Sequence, residues 1–224
     1  MERIEDLGGG LSIIQNTEGF MFGCDAVQLA KFANVKKNGL ALDLCTGSGI
    51  IPLLLSEKNT AKKIYGLELL PAVADMASRS IAMNNLQDKI EIICGDVKNA
   101  RSIFKGLQFD TITCNPPYTP PGGGLLNPQD EKAIARHELC MVLEDVFYTA
   151  AHLLRYNGRL FMVHIPPRLP EIMALAKKHR LEPKRLQLIH PNHEKEAKLI
   201  LIEAAFGVRP GLTVLPPLFL NERT

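Results

Sequence analysis

Four consecutive residues, Asn115-Pro116-Pro117-Tyr118, bring more usable chemistry together than any other stretch of this chain. They supply an amide side chain, a backbone carbonyl and an aromatic ring within a few ångströms of backbone. An amide oxygen and a carbonyl can accept the two hydrogens of a planar amine, while a ring stacks on the face that carries it. An aryl amine is a weak nucleophile because its lone pair is delocalised into the ring. Hydrogen bonds from both its protons, to the Asn115 oxygen and the Pro116 carbonyl, localise that pair and favour the positive charge that develops on nitrogen as it attacks. Pro117 and Tyr118 are placed to hold the amine-bearing ring, and the π-face of Tyr118 favours a growing cation. The expected chemistry is transfer to an exocyclic amine, with Asn115, Pro116 and Tyr118 as catalytic residues. The plain alternative is a surface turn that happens to contain two prolines.

A second group of residues could hold a donor. Asp43-Leu-Cys-Thr-Gly47-Ser-Gly49 follows an apolar run and opens a helical pattern, and Glu68 and Asp96 end the next two apolar runs. A nicotinamide fingerprint needs a third glycine where Pro52 stands, so an oxidoreductase is disfavoured. An acid before the glycines is what a site for S-adenosylmethionine would want, since that cofactor carries an ammonium and a sulfonium but no phosphate. Each acid alone also reads as an ordinary helix cap, Asp96 above all.

These residues need elements to bring them together. Phe109–Cys114 is β-branched and apolar, and it stops at two prolines that cannot donate to a ladder. From residue 40 onward, strands at Leu40–Leu44, Lys63–Glu68, Ile90–Cys94, Phe109–Cys114 and Arg159–His164 alternate with helices. Those are expected at Ile50–Lys58, from Pro71, near Lys98–Phe104 and over Arg136–Leu154. This alternation predicts a doubly wound α/β sheet of parallel strands, whose C-terminal edge is where ligands bind. Arg185–His190 and Lys198–Phe206 have no room for a helix between them and predict an antiparallel hairpin at one side. The first 35 residues read as an extension: Leu11–Gln15 pairing with Phe20–Phe22, then Asp25 capping a helix over Ala26–Phe32. Residues 36–224 form the catalytic domain, with a loop over Thr119–Asp130.

Composition bounds the rest. The chain has 224 residues, 46% of them hydrophobic and 22% charged, which suits one large globular domain. A net charge of +2 announces no nucleic-acid partner, but a local basic face can serve one. Five scattered cysteines with no C-x-x-C pair indicate neither a disulfide framework nor a metal site. The start lacks the basic and apolar regions of a signal peptide, and no apolar run can span a bilayer. A cytoplasmic enzyme with no membrane and no metal is the expectation, and nothing in the sequence assigns an oligomeric state.

Taken together, the motifs resemble the bacterial family of tRNA(Val) anticodon-loop adenine N6-methyltransferases, within the small-domain group of class I enzymes. The resemblance rests on Asp43–Gly49, Asn115–Tyr118, Phe20–Ala30, Ala135–Glu138 and Pro210–Leu218. It implies a Rossmann-like sheet of seven mostly parallel strands, a C-terminal antiparallel hairpin, and helices on both faces. It also implies that Asp43, Gly47 and Gly49 hold the methionine part of S-adenosylmethionine and Glu68 its ribose. Asp96 and Val97 would take the adenine, and Asn115 would meet both cofactor and substrate. The Phe22–Ala26 region would pack near the methionine end.

The implied partner is RNA, with tRNA first, and a base in a stack must be flipped or unpaired to be reached. Between Arg168 and Lys198, eight Lys/Arg face four Glu, a surplus that could contact phosphates. Arg136 is a candidate phosphate clamp beside the site, and His164 reads as structural. Three alternatives stay open. Release-factor glutamine N5-methyltransferases share Asn-Pro-Pro-Tyr but carry a helical domain before the glycine loop, where this chain has about 40 residues. Guanine-N2 rRNA methyltransferases differ after the prolines. A module that binds cofactor and RNA without turnover is the non-enzymatic reading.

Overall fold

The computed structural model describes residues 1–17, 22–58, 60–118 and 141–220. Its main sheet is built from β3 (Leu40–Leu44), β4 (Lys63–Glu68), β5 (Ile90–Cys94), β6 (Phe109–Cys114), β7 (Leu154–His164), β8 (Leu181–His190) and β9 (Leu199–Phe206). Their spatial order is β8-β9-β7-β6-β3-β4-β5, parallel from β7 to β5 and antiparallel on both sides of β9. The chain runs outward from β3 through β4 to β5, then returns to β6 on the other side of β3. The C-terminal ends of β3 and β6 therefore bound a topological switch point, the expected place for a ligand.

Helices cover both faces, and the strands alternate to suit. Leu42, Leu44, Leu160 and Met162 join one core with Phe104, Phe109, Phe147 and Leu153. Ala41, Phe161 and Val163 join the other with Leu29, Phe32, Leu53 and Leu55. The first core lies under α4 (Ala100–Ile103), α5 (Leu143–Leu153) and α6 (Leu169–Lys178); the second under α1 (Cys24–Phe32) and α2 (Ile50–Glu57). α3 (Pro71–Met83) opens on proline at its first position. Among the described residues no helix is long and apolar enough to cross a membrane.

The N-terminus departs from expectation. Leu11–Asn16 (β2) pairs with Glu2–Gly8 (β1), a strand the sequence did not predict. Of the expected partner Phe20–Phe22, Phe20 and Met21 lie outside the described residues, and Phe22 is in no strand. Most of β1 is exposed and charged, so its sequence carries no apolar alternation to betray it. The hairpin is fixed to α3 through Ser80 and Asn84: Ile14 N donates to Ser80 Oγ at 3.0 Å and Ser12 N to Asn84 Oδ1 at 2.9 Å.

Three further differences concern boundaries. The residue capping α1 is Gly23, and Asp25 lies inside the first turn. β7 and β8 begin at Leu154 and Leu181, earlier than their apolar runs. Among the described residues the sheet has nine strands rather than seven, because β10 (Thr213–Val214) and β11 (Leu218–Phe219) pair with β8. The Thr119–Asp130 loop and the first part of the Arg136–Leu154 helix lie outside the described residues.

Candidate active site

The strands bring the sequence-derived residues to one edge. Asp43 and the glycine loop leave β3, Glu68 ends β4, Asp96 follows β5 and Asn115 follows β6. The loop after β3 is wound by left-handed residues: Cys45 at φ 59°, Gly47 at 55° and Gly49 at 84°. Gly47 N donates to Glu68 Oε2 at 2.9 Å, which draws the loop onto the end of β4. A side chain built on Gly47 meets nothing within 4 Å, so the missing Cβ leaves open room beside the loop. At Gly49 the Cβ position lies 3.4 Å from Ala77 Cβ, which brings α2 close to α3.

Asp43 itself does not face that room. It is fully buried, and its two oxygens accept from Thr46 Oγ1 at 2.7 Å and Thr113 Oγ1 at 2.6 Å. Burial pushes its carboxyl up to about 7; the two hydroxyls act against that, and the charge of Glu68 adds to it. Glu68 is also buried, with Oε1 accepting from Leu70 N at 3.0 Å. Asp96 caps the short turn Val97–Asn99, its Oδ1 accepting from Lys98 N at 2.9 Å. Glu68, Asp96, Val97, Cys45, Pro117 and Met141 line one cleft of roughly 340 Å³ that opens to solvent.

On the other side of β3, Thr111 and Thr113 alternate along β6 toward the face covered by α1. Thr111 Oγ1 donates to Asn34 O just beyond that helix, and Asn115 continues the same alternation. Its Nδ2 donates to Asp25 Oδ2 at 3.2 Å. The Tyr118 hydroxyl lies 2.7 Å from the same Asp25 oxygen and 2.8 Å from Asn115 Oδ1. Burial first, then the Asp25 charge, drives the Tyr118 phenol well above its ordinary range, so it stays protonated. The Tyr118 ring leans on His164, centroids 5.1 Å apart. His164 is 1% exposed and accepts from Ile165 N; burial, then Arg168, lowers it to about 4, so the ring is neutral near pH 7.

Asp25 is the residue the sequence did not single out for the site. An acid ahead of an apolar helical run reads as a cap, and only the approach of α1 to β6 shows otherwise. Arg136 lies outside the described residues. The basic segment does not form one face. β8 runs parallel to β7, so Arg168, Lys195 and Lys198 sit at the site edge, whereas Lys177, Lys178 and Arg180 precede β8 at the opposite edge. Arg185 is turned inward, pairing with Glu203 and lying 4.5 Å over the Phe32 ring.

Comparison with known proteins agrees with this geometry. A family model described as the methyltransferase small domain matches residues 25–178. A tRNA1(Val) (adenine(37)-N6)-methyltransferase of Porphyromonas gingivalis is 32% identical over 81% of this chain and 72% of its own. One of Bacteroides fragilis is 28% identical over 82% and 76%. Among solved structures, a "predicted O-methyltransferase" from Agrobacterium tumefaciens superposes with a TM-score of 0.69 at 25% identity, covering 88% of each chain. TrmN from Thermus thermophilus superposes at 0.57 and 19% identity over 81% of this chain and 48% of its own, a likeness of fold alone. The chain has the class I methyltransferase fold and belongs to the methyltransferase small-domain family, in the group that these tRNA1(Val) adenine-N6-methyltransferases form.

Proposed function

We propose that this enzyme binds S-adenosylmethionine along the ends of β3, β4 and β5 and methylates the N6 amine of an adenine in RNA. The names of its relatives point to tRNA as the RNA class. The observation that carries the reading is Asn115 at the switch point, its Nδ2 engaged by the Asp25 carboxylate and its Oδ1 facing the Tyr118 hydroxyl.

The residues present fit the cofactor: an open space beside Gly47, and a cleft lined by two carboxylates and apolar side chains. Gly47 and Gly49 would line the methionine part. Glu68 has lone pairs left for ribose hydroxyls, and Asp96 and Val97 would take the adenine amine and ring. Asp43, whose two oxygens accept from Thr46 and Thr113, would support the loop beneath the methionine part. When bound, the cofactor supplies an electrophilic methyl group on a sulfonium.

The remaining work falls on the nucleophile. The Tyr118 hydroxyl has one proton and two acceptors, so it cannot satisfy both fully. It keeps Asp25 and yields Asn115 Oδ1 to the incoming amine, whose second hydrogen goes to the Pro116 carbonyl. Pro117 and the Tyr118 ring then hold the flipped base. With the cofactor bound, the nitrogen held by these groups would take the methyl as the sulfonium–methyl bond breaks to leave a neutral thioether. The cationic product would lose its proton to water, so no strong base is required. Arg136 stays a candidate phosphate contact. Residues 1–35 act as an extension seated on the catalytic unit 36–224, and a tRNA substrate places the work in the cytoplasm.

The test is methyl transfer from tritium-labelled S-adenosylmethionine to undermodified tRNA, rRNA and a protein extract, each digested afterwards. Label recovered from tRNA as N6-methyladenosine supports the reading. Methylglutamine in protein, or N2-methylguanosine in rRNA, replaces it with the corresponding alternative.

A further inference from the structure

We propose that Asp25 is a positioning residue for transfer, which fixes the orientation of the Asn115 amide and sharpens its oxygen as a hydrogen-bond acceptor. The proposal rests on the reading of Asn115 given above and adds a partner to it. A carboxylate has no proton to give, so Asp25 Oδ2 can only accept. The 3.2 Å contact to Asn115 therefore selects the rotamer with Nδ2 turned toward α1 and Oδ1 turned away from it. Without that partner the amide could present either end to a substrate amine, and the NH2 end would repel it.

The contact also acts on electron density. A hydrogen bond from an amide N–H to a charged acceptor is roughly twice as strong as a neutral one. It draws the amide toward the form with negative charge on oxygen, so Oδ1 accepts better from an amine that turns cationic. The carboxylate is held in place for this. Its Oδ1 accepts from Ala26 N at 2.8 Å, and it lies in the first turn of α1, where the helix dipole favours negative charge. α1 is anchored by Leu29 and Phe32 in the core against Phe161 of β7. A rigid helix thus carries the acceptor, and the strand carries the group it acts on.

The Tyr118 hydroxyl shares Asp25 Oδ2, so a role through the phenol must be separated from a role through the amide. The experiment compares the wild type with Asp25→Asn, Asp25→Ala and Tyr118→Phe, and with Asp25→Asn combined with Tyr118→Phe. For each, kcat and KM for undermodified tRNA, cofactor affinity and the unfolding midpoint are measured. Asp25→Asn keeps the size of the side chain and removes its charge, which guards against a loss caused by misfolding. Outer-shell groups that orient a metal ligand typically contribute about 10–100-fold, and a carboxylate that orients a reacting amide is taken to act on the same scale. The expected result is a fall in kcat of about 10-fold for Asp25→Asn and toward 100-fold for Asp25→Ala, with KM and cofactor affinity within about threefold. The Asp25→Asn loss should persist in the Tyr118→Phe background. A kcat within twofold of wild type in Asp25→Ala overturns the proposal, as does a charge effect that vanishes with the phenol. A wild type that labels no RNA sinks the functional reading and this role with it; an active wild type with indifferent Asp25 variants sinks this role alone.

Discussion

On the proposed reading, the amide of Asn115 would give this site its selectivity for an amine, because its oxygen accepts from N–H groups that become stronger donors as the nitrogen turns cationic. Removing a preorganised partner of this kind typically costs 10²–10³ in rate. Asn115→Ala should therefore lower kcat by about 10²–10³ while leaving cofactor affinity nearly unchanged. Calorimetric titration beside the methyl-transfer assay checks both halves, and unchanged transfer removes Asn115 from the mechanism. The position of this residue was legible in the sequence, since two prolines after a β-branched run stop a strand. The contribution of Asp25 was not, because its acceptor role depends on a residue 90 positions away in the chain. Asp43 was legible as a loop acid, but its burial and its two threonine partners were not.

At the scale of elements, β3 to β6 were readable to the residue: β3 and β6 are buried on both faces, and β4 and β5 are short, mostly apolar runs bounded by turn residues. The ends of β7 and β8 were less so, since ladder pairing continues through polar residues that break the run. β1 escaped altogether. Its hold on the molecule comes through β2 and hydrogen bonds to α3, not through an apolar face of its own. Ser80 is fully buried and accepts from Ile14 N. Ser80→Ala leaves that N–H without its partner, which costs about 1–3 kcal/mol. A chemical unfolding curve should show the loss with an unchanged slope; a midpoint equal to wild type means the hairpin contributes little to the fold.

At the scale of the whole molecule, pH acts on stability through buried groups at the ligand edge. His164 is lowered from 6.5 to about 4, so the folded state holds it neutral while the unfolded chain takes a proton. Its contribution is fully present above pH 6.5 and is lost as pH falls toward 4. Asp43 works in the opposite sense. Raised from 3.8 to about 7, it contributes stability that is present below 3.8 and lost as pH rises toward 7. The difference between wild type and variant isolates each. Between pH 6.5 and 4 the unfolding midpoint of His164→Asn should fall less than that of wild type, and identical slopes would contradict a neutral buried imidazole. Such long-range coupling was beyond the sequence, which marked His164 only as a strand end. The same holds for the basic segment, which one-dimensional counting gathers together and the α6–β8 crossover divides between two opposite edges.

β10 and β11 lie along β8, with Leu215 N donating to Leu186 O at 2.8 Å and Leu220 N to His190 O at 3.0 Å. A sheet margin left bare is a template on which another chain can add a strand. These two short pieces occupy that margin with backbone from the same molecule, and Leu215, Leu218 and Leu220 pack part-buried against the core. Their further value is in what they exclude. Cutting the chain after Gly207 should leave the fold intact by circular dichroism yet shift it to higher-mass species in size-exclusion chromatography, more so at higher concentration. An elution profile matching the full chain would show the margin to be harmless. A shift to higher mass would instead make solubility a property written partly in the last dozen described residues, far from any residue that meets a substrate.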